Sequence, residues 1–282
     1  MSYYERMIAE QSALSLSRLG FDSTKVNQGS PEWHTSRLGV ITASRAKDLI
    51  ATGFAAPLPD DVEIIKSGRV NTVAFCGESF SGTKAECIKF VRGKIPPLPS
   101  LTRNAYLLEL IAEVATCQAK EQGDFKQTQW GHEYENHARQ IFAFHVGLPV
   151  QESPFIYGNE SMRYGASPDG IADDQSGIEI KCPWTTPVYL DFLLNGEIKQ
   201  DYIDQVQFSM FVTGLPYWHF ANYDPRMKVR SFHAVTIERD EEKMKTFADA
   251  VGQMTHDMDK ALESIGLEFG DQWPNQEQKK AA

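Results

Sequence analysis

The sequence predicts a mixed α/β fold of the α+β type, in which helices flank a central mixed β-sheet. Stretches with the alternation and aromatic or β-branched content of strands lie at 167–181, 217–223 and 232–237. Segments with apolar residues at helical spacing lie at 104–119, 130–145 and 238–262. With 282 residues, of which 41% are hydrophobic, the chain is long enough to bury a large core, and we expect a single elaborated domain.

Composition argues against a membrane or secreted protein. No apolar run reaches the roughly 18 residues that a membrane span needs, and the first residues are too polar for a secretory signal. The four cysteines form no C-x-x-C pair, which argues against a zinc knuckle and a disulfide framework. We therefore expect reduced thiols, no membrane partner and a cytoplasmic location.

The net charge of −10 opposes phosphate binding by the surface as a whole. The excess is unevenly distributed, because residues 238–282 hold eleven acidic and six basic residues. An acidic C-terminal helix and tail are compatible with a basic groove elsewhere, so a nucleic-acid partner is not excluded.

The N-terminal elements begin with an amphipathic helix over Tyr3–Leu19. A second helix containing Trp33 and Arg37 is expected to end at Gly39, and Thr42 or Ser44 is expected to cap a third. Hydroxyl groups, free backbone N–H groups and a nearby arginine suit a phosphate pocket. An ordinary capped helix with an exposed arginine explains the same residues.

Residues 51–101 differ in composition from their surroundings, with prolines clustered at both ends and a partly strand-like centre. We interpret this segment as a surface insertion, and its residues indicate no particular function. The later segments predict helices over 186–194 and 202–211 and strands over 217–223 and 232–237.

Two polar side chains on these helices have more than one interpretation. Glu135 lies one turn before Arg139, which fits either a surface ion pair or a carboxylate aimed at a site. Gln205 likewise faces either a site or the core. The pattern alone leaves both questions open.

The stretch Ser167–Lys181 predicts a hairpin, with a polar turn over residues 173–177. Asp169 then lies across from the neighbourhood of Glu179, where opposed residues are about 5 Å apart at Cβ. Side chains alternate along a strand, so Glu179 and Lys181 share one face while Ile178 and Ile180 point into a core.

Two carboxylates on adjacent strands form a hard oxygen site suited to Mg²⁺, with Mn²⁺ able to substitute. The carbonyl of Ile180 can add a third ligand, and Lys181 can orient a water. Such a site suits phosphodiester hydrolysis. An ordinary turn at Asp169, followed by a solvent-facing Glu179 and Lys181 pair, is the alternative.

Pro168-Asp169 followed by Glu179-Ile180-Lys181 resembles the signature of the PD-(D/E)xK nuclease superfamily. Longer pieces resemble the lambda exonuclease and YqaJ-like viral recombinase family. These pieces are Arg37–Ser44, Tyr134–Asn136, Glu152–Pro154, Glu160–Arg163, Ser167–Gly170, Lys181–Pro183, Gln205–Gln207 and Phe220–Met227. The resemblance implies a restriction-endonuclease-like fold.

The resemblance also implies a function. A Mg²⁺-dependent exonuclease of this family degrades one strand of linear double-stranded DNA from its 5′ end and leaves 3′ overhangs for phage-type recombination. The implied assembly is a ring-shaped homotrimer, and the implied partner is a single-strand annealing recombinase. The implied setting is a phage or prophage protein in the cytoplasm of a bacterial host. A PD-(D/E)xK endonuclease and a non-catalytic DNA-end-binding protein remain as alternatives.

Residue roles follow from the resemblance position by position. Asp169, Glu179 and the carbonyl of Ile180 hold the metal. Lys181 assists the attacking water, and Glu135 and Gln205 complete the catalytic set. The pocket for the 5′ phosphate corresponds to Arg37, Ser44 and Ser167, with Thr42 and Trp33 close by.

Overall fold

The computed structural model of the chain describes residues 2–53, 57–95, 100–120, 126–172 and 175–273. The helices are α1 (Tyr3–Leu19), α2 (Pro31–Ser36), α3 (Ala46–Leu49), α4 (Lys84–Arg92), α5 (Leu101–Thr116), α6 (Lys126–Val146), α7 (Thr186–Asn195), α8 (Gln200–Thr213) and α9 (Glu241–Ser264). The strands are β1 (Ile41–Thr42), β2 (Ile64–Ser67), β3 (Val70–Phe75), β4 (Glu78–Gly82), β5 (Val150–Gln151), β6 (Ile156–Tyr157), β7 (Tyr164–Ala166), β8 (Gly170–Ala172), β9 (Ser176–Lys181), β10 (Tyr217–Tyr223) and β11 (Phe232–Glu238).

A five-stranded mixed sheet forms the centre of the larger part of the molecule, in the order β11-β10-β9-β8-β5. Strands β9 and β10 run parallel, and the other neighbours in this sheet are antiparallel. The predicted mixed α/β class with a central mixed sheet is confirmed.

Helices cover both faces of this sheet. On one face, Ile178 and Ile180 of β9 pack in a core with Ala138 and Phe142 of α6. On the other face, Phe220 of β10 belongs to the main core and stacks on Tyr202 of α8 at 5.3 Å. Strand β9 is therefore held from both sides, which fixes where its polar side chains can point.

A second sheet has the order β1-β7-β6, with β1 and β7 parallel. The register pairs Thr42 with Gly165, so the residues that follow β1 and β7 leave the sheet at the same edge. After α9 the chain returns to the segment ahead of β1. There the indole of Trp273 donates to the carbonyl of Thr35, and the Gln272 amide donates to the carbonyl of Leu38, both at 3.0 Å.

Residues 51–105 form a compact unit separate from the unit that contains 1–50 and 106–282. In this smaller unit β2, β3 and β4 form an antiparallel meander, and α4 packs against it through a core of Val73, Cys87 and Val91. The segment that the sequence marks as an insertion lies in this unit.

Two details near Arg37 differ from the sequence predictions. Helix α2 ends at Ser36, and Arg37 is its C-cap residue, ahead of Gly39 with a φ of +67°. Thr42 occupies the N-cap position of a 3-10 turn over residues 43–45 that leads directly into α3, as predicted, but its side chain makes no capping hydrogen bond. The prediction is wrong for Ser44, which lies inside this turn, and the N-cap residue of α3 itself is Arg45.

None of the described helices is both long enough and apolar enough to cross a membrane. The last nine residues of the predicted acidic tail, and residues 173 and 174 of the predicted hairpin turn, lie outside the described part of the chain.

Candidate active site

The β8–β9 hairpin brings two carboxylates together. Its register pairs Gly170 with Ile178, and one further step along the antiparallel pair sets Asp169 opposite Glu179, as predicted. The Asp169 Oδ2 atom accepts a hydrogen bond of 2.6 Å from the backbone N–H of Ile180. Strand β9 begins at Ser176, so the polar turn is shorter than the sequence indicated.

Glu179 is the most deeply buried member of the site, with 2% of its surface exposed. Its Oε1 atom accepts hydrogen bonds from Lys181 Nζ at 2.5 Å and from Gln205 Nε2 at 2.7 Å. A buried carboxylate needs such partners, because transfer of an unpaired charge out of water is very unfavourable. Of the two interpretations of Gln205, the one in which it faces the site therefore agrees with the structure.

Arg139 joins helix α6 to the hairpin. Its Nη2 atom lies 2.9 Å from Glu135 Oε1, and its Nε atom donates a hydrogen bond of 2.5 Å to the backbone carbonyl of Asp169. Only 7% of Arg139 is exposed, so this ion pair is buried at the arginine and partly buried at the glutamate. Glu135 lines the same cleft as Asp169 and Lys181.

This cleft has a volume of about 600 Å³. Charged residues and apolar residues such as Phe192 and Phe220 both line it. The ring of Tyr202 also lines it, with its centroid 5.1 Å from Lys181 Nζ. Sequence reasoning did not single out Tyr202, although its position three residues before Gln205 on one helix face was the available signal.

The electrostatics of the cleft reflect an excess of carboxylates. Burial, followed by the negative charges of Glu179 and Glu135, raises the pKa of Asp169 well above its usual range. Burial also raises the pKa of Glu135, although Arg139 opposes this. For Lys181, burial acts to lower the pKa, and the nearby carboxylates of Glu179 and Asp169 outweigh it and raise the pKa.

These residues fit a hard divalent cation. Asp169 Oδ1 and Glu179 Oε2 make no hydrogen bonds to the described residues, so each carboxylate keeps one oxygen for a ligand role. Carboxylate repulsion of the kind seen at Asp169 is relieved by a cation. No group of three or more Asp, Glu, His or Cys side chains among the described residues is arranged to hold a metal. Mg²⁺ tolerates this, because it usually keeps several waters.

A second, smaller pocket of about 120 Å³ lies away from this cleft, and Arg37, Thr42 and Ser44 are among the residues that line it. Thr42 Oγ1 and Ser44 Oγ are 3.3 Å apart. The guanidinium of Arg37 lies over the ring of Trp33, with Cζ 3.9 Å from the ring centroid. Ser167 is not among the lining residues, and it follows β7 at the sheet edge shared with β1.

Three of the predicted phosphate-binding residues carry buried polar atoms that have no hydrogen-bond partner in the described part of the chain. These atoms are Arg37 Nε, Ser167 Oγ and Trp33 Nε1. Burial lowers the pKa of Arg37 to about 10. Buried donors normally have partners, so an acceptor that reached these atoms would satisfy them.

The same pocket also contains carboxylates. Glu109 accepts hydrogen bonds from Arg45 at 2.6 Å and from Lys120 at 2.7 Å. Glu113 accepts one of 2.9 Å from the backbone N–H of Gly39. Three of the described arginine and lysine residues line this pocket: Arg37, Arg45 and Lys120. Of these, Arg37 alone makes no ion pair with a described residue.

Comparison with solved structures defines the class. The chain has the fold of alkaline exonucleases. It matches the alkaline exonuclease LHK-Exo of Laribacter hongkongensis with a TM-score of 0.61 and 25% identity, over 90% of this chain and 100% of that one. LHK-Exo in complex with dAMP gives a TM-score of 0.62 at the same identity and coverage. A phage related exonuclease from Haemophilus somnus 129PT shares the fold, with a TM-score of 0.52 and 15% identity over 80% of this chain and 96% of that chain.

Sequence comparison defines the family. The YqaJ-like viral recombinase domain matches residues 32–216, and the chain belongs to that family. The Escherichia coli K12 protein ExoD is 49% identical over 86 residues, which is 30% of this chain and 99% of ExoD. The resemblance seen in the sequence is thereby confirmed.

Proposed function

We propose that this protein is a Mg²⁺-dependent exonuclease that degrades one strand of linear double-stranded DNA in the 5′ to 3′ direction and leaves 3′ overhangs. The convergence of Asp169, Glu179 and Lys181 in one cleft carries this proposal. Homology to alkaline exonucleases supports a nuclease.

In this proposal Asp169, Glu179 and the carbonyl of Ile180 hold Mg²⁺. When bound, the ion neutralises charge on the phosphodiester and lowers the pKa of a water. Lys181 orients the attacking water and stabilises the charge that develops as the bond breaks. Gln205 and Lys181 together fix the Glu179 carboxylate in one orientation, since both donate to the same oxygen.

Glu135 has a separate role. Its carboxylate lines the cleft and is held by Arg139, and its raised pKa makes it a better proton acceptor than an exposed glutamate. It is therefore suited to accept a hydrogen bond from water during the reaction.

In this proposal the second pocket binds the terminal 5′ phosphate and so sets the 5′ to 3′ direction of degradation. Arg37 is a cation without an ion-pair partner among the described residues, and its Nε atom is buried and unpaired. Phosphate oxygens would accept hydrogen bonds from this guanidinium and from the Ser44 hydroxyl. Ser167 does not line the pocket, and its hydroxyl would join from the sheet edge that β7 shares with β1. The ring of Trp33 packs against the Arg37 guanidinium, and the Thr42 hydroxyl lies within hydrogen-bonding distance of Ser44.

The family resemblance supports further parts of the proposal. These are a ring-shaped homotrimer, a single-strand annealing recombinase as partner, and action in the cytoplasm of a bacterial host during phage-type recombination.

Digestion of linear duplexes tests the proposal. Substrates carrying a 5′ phosphate or a 5′ hydroxyl are incubated with Mg²⁺ or with EDTA, and nucleotide release is followed. We expect release only with Mg²⁺, faster release from the 5′-phosphorylated duplex, and 3′ single-stranded products. Covalently closed circular DNA should stay intact. Its cleavage would instead indicate an endonuclease, and end binding without nucleotide release would indicate a non-catalytic protein.

A further inference from the structure

An exposed tryptophan lies directly beside the cleft. Trp184 follows Lys181 by three residues, and 42% of its surface is exposed. Its chain neighbours Cys182 and Pro183 line the cleft, as does Val188 in the first turns of α7. A large aromatic side chain is thus presented to solvent at the rim of a site built for a nucleic-acid strand.

The Trp184 backbone is held in place by Arg226. The guanidinium donates hydrogen bonds to the carbonyl of Trp184 at 2.9 Å and to that of Pro183 at 3.1 Å. Arg226 is itself fixed by the fully buried carboxylate of Asp224, with Nε 2.7 Å from Oδ1. The loop that carries the indole is therefore constrained by three charge-assisted or polar contacts.

The indole ring is also supported on one side. It makes an edge-to-face contact with Trp130, with the centroids 5.6 Å apart at an interplanar angle of 90°. Trp130 is in turn covered by Arg226, whose Cζ lies 4.6 Å from the ring centroid. Support of this kind fixes the ring before a ligand arrives, which reduces the entropy lost on binding.

We propose that Trp184 is a stacking platform for a nucleobase of the DNA strand that enters the cleft. This inference rests on the proposed nuclease function and names a binding contact for the same site. Every base has a π-face, so stacking on an aromatic ring tolerates any sequence. That tolerance suits an enzyme that degrades a strand whatever its composition.

The test compares two substitutions at one position. Trp184→Phe keeps an aromatic face, whereas Trp184→Leu keeps an apolar side chain without one. We expect Trp184→Leu to raise KM for a 5′-phosphorylated duplex on the order of tenfold with a much smaller change in kcat, and Trp184→Phe to retain most of the affinity. Phe144→Leu on α6, where the phenyl ring is 86% exposed, is the matched control and should leave KM unchanged.

A fluorescence measurement gives an independent readout. In a Lys181→Ala background, a duplex with 2-aminopurine near its 5′ end should be quenched on binding when residue 184 is Trp or Phe. The comparison is between free and bound duplex and does not use Trp184→Leu. It therefore remains informative even if the Trp184→Leu protein fails to fold. Unquenched 2-aminopurine in the parent would overturn the inference.

Equal KM values in all Trp184 variants would also overturn it. An equal increase of KM in Trp184→Phe and Trp184→Leu would do the same, because it would indicate a role in packing against Trp130. If the unsubstituted protein releases no nucleotides, the proposed function itself fails, and this result is distinct from the others.

Discussion

Arg139 donates a hydrogen bond of 2.5 Å from Nε to the backbone carbonyl of Asp169. This contact ties Asp169, just ahead of β8 in the candidate active site, to a helix packed on the opposite face of the sheet from Gln205. The same guanidinium holds Glu135, so one buried cation positions two of the predicted catalytic residues.

Substitution of Arg139 should therefore affect stability as well as activity. Arg139→Met leaves the half-buried Glu135 carboxylate without its partner, and we expect a loss of about 3 kcal/mol in the free energy of unfolding. Urea denaturation measures it. Lys245→Met breaks an exposed pair on α9, with side chains 71% and 82% exposed, and should cost less than about 1 kcal/mol. Equal effects of the two substitutions would contradict the positioning role.

Lys181→Ala should strongly reduce digestion while leaving DNA binding. Removal of a positioned charge that stabilises the transition state typically costs about 10²- to 10³-fold in kcat. Nucleotide release and a gel-shift assay in EDTA separate catalysis from binding. Lys260→Ala, at an exposed lysine on α9, should behave like the unsubstituted protein. Full activity of Lys181→Ala would contradict the proposed role of this lysine in the reaction.

Arg37→Ala should remove the preference for a 5′ phosphate. The unpaired guanidinium is the main cation available to that group, and without it the two kinds of end should be degraded at similar rates. The ratio of initial rates on 5′-phosphorylated and 5′-hydroxyl duplexes is the measurement. The rate on the hydroxyl duplex serves as the internal control. A ratio unchanged from that of the parent would place the phosphate elsewhere.

Glu113→Gln should stabilise the protein at alkaline pH. Burial raises the pKa of Glu113, although the Gly39 N–H, a Lys120 backbone contact and Arg37 act against this. A carboxyl whose folded-state pKa is raised stabilises the fold below its unfolded pKa, and that contribution is lost as pH rises through the folded pKa. The amide avoids ionisation and keeps an acceptor for Gly39. Thermal unfolding should show a higher Tm for the variant at pH 8 and little difference near pH 4; a pH-independent difference would refute this account.

Gly177→Ala should destabilise the central sheet. A Cβ at this position would overlap the ring of Trp218, which is fully buried, and overpacking of this kind typically costs about 1–3 kcal/mol. Gly252→Ala in α9 has open space around the added carbon and should gain about 0.5–1 kcal/mol, since alanine favours helix. Denaturation midpoints of the two variants should move in opposite directions.

The hairpin could be predicted because its pattern is local. The spacing between Asp169 and Glu179 and the alternation along β9 determine which side chains meet, and the register agrees with both. Boundaries of α1 and β10 were likewise predicted at the residues where the structure places them. These segments carry their own periodicity and turn residues.

Neither the sheet β1-β7-β6 nor the hydrogen bond from Arg139 to Asp169 could be predicted in the same way. Strands of two or three residues are too short to show alternation. The bond from Arg139 to the carbonyl of Asp169 joins residues 30 positions apart, and neither residue type requires it. Thr42 takes the N-cap position of a 3-10 turn rather than of an α-helix, and Ser44 lies within that turn, because no residue in the stretch distinguishes a 3-10 start from an α-helical one.

The bonds from Trp273 and Gln272 to Thr35 and Leu38 bear on how the protein can be engineered. They link the C-terminal end of the described chain to the residues on either side of Arg37. A fusion partner or affinity tag joined after Trp273 preserves both bonds, whereas a truncation ahead of Gln272 removes them. Shortened versions of the protein should then lose the proposed discrimination between 5′ ends before they lose the proposed nuclease activity of the cleft.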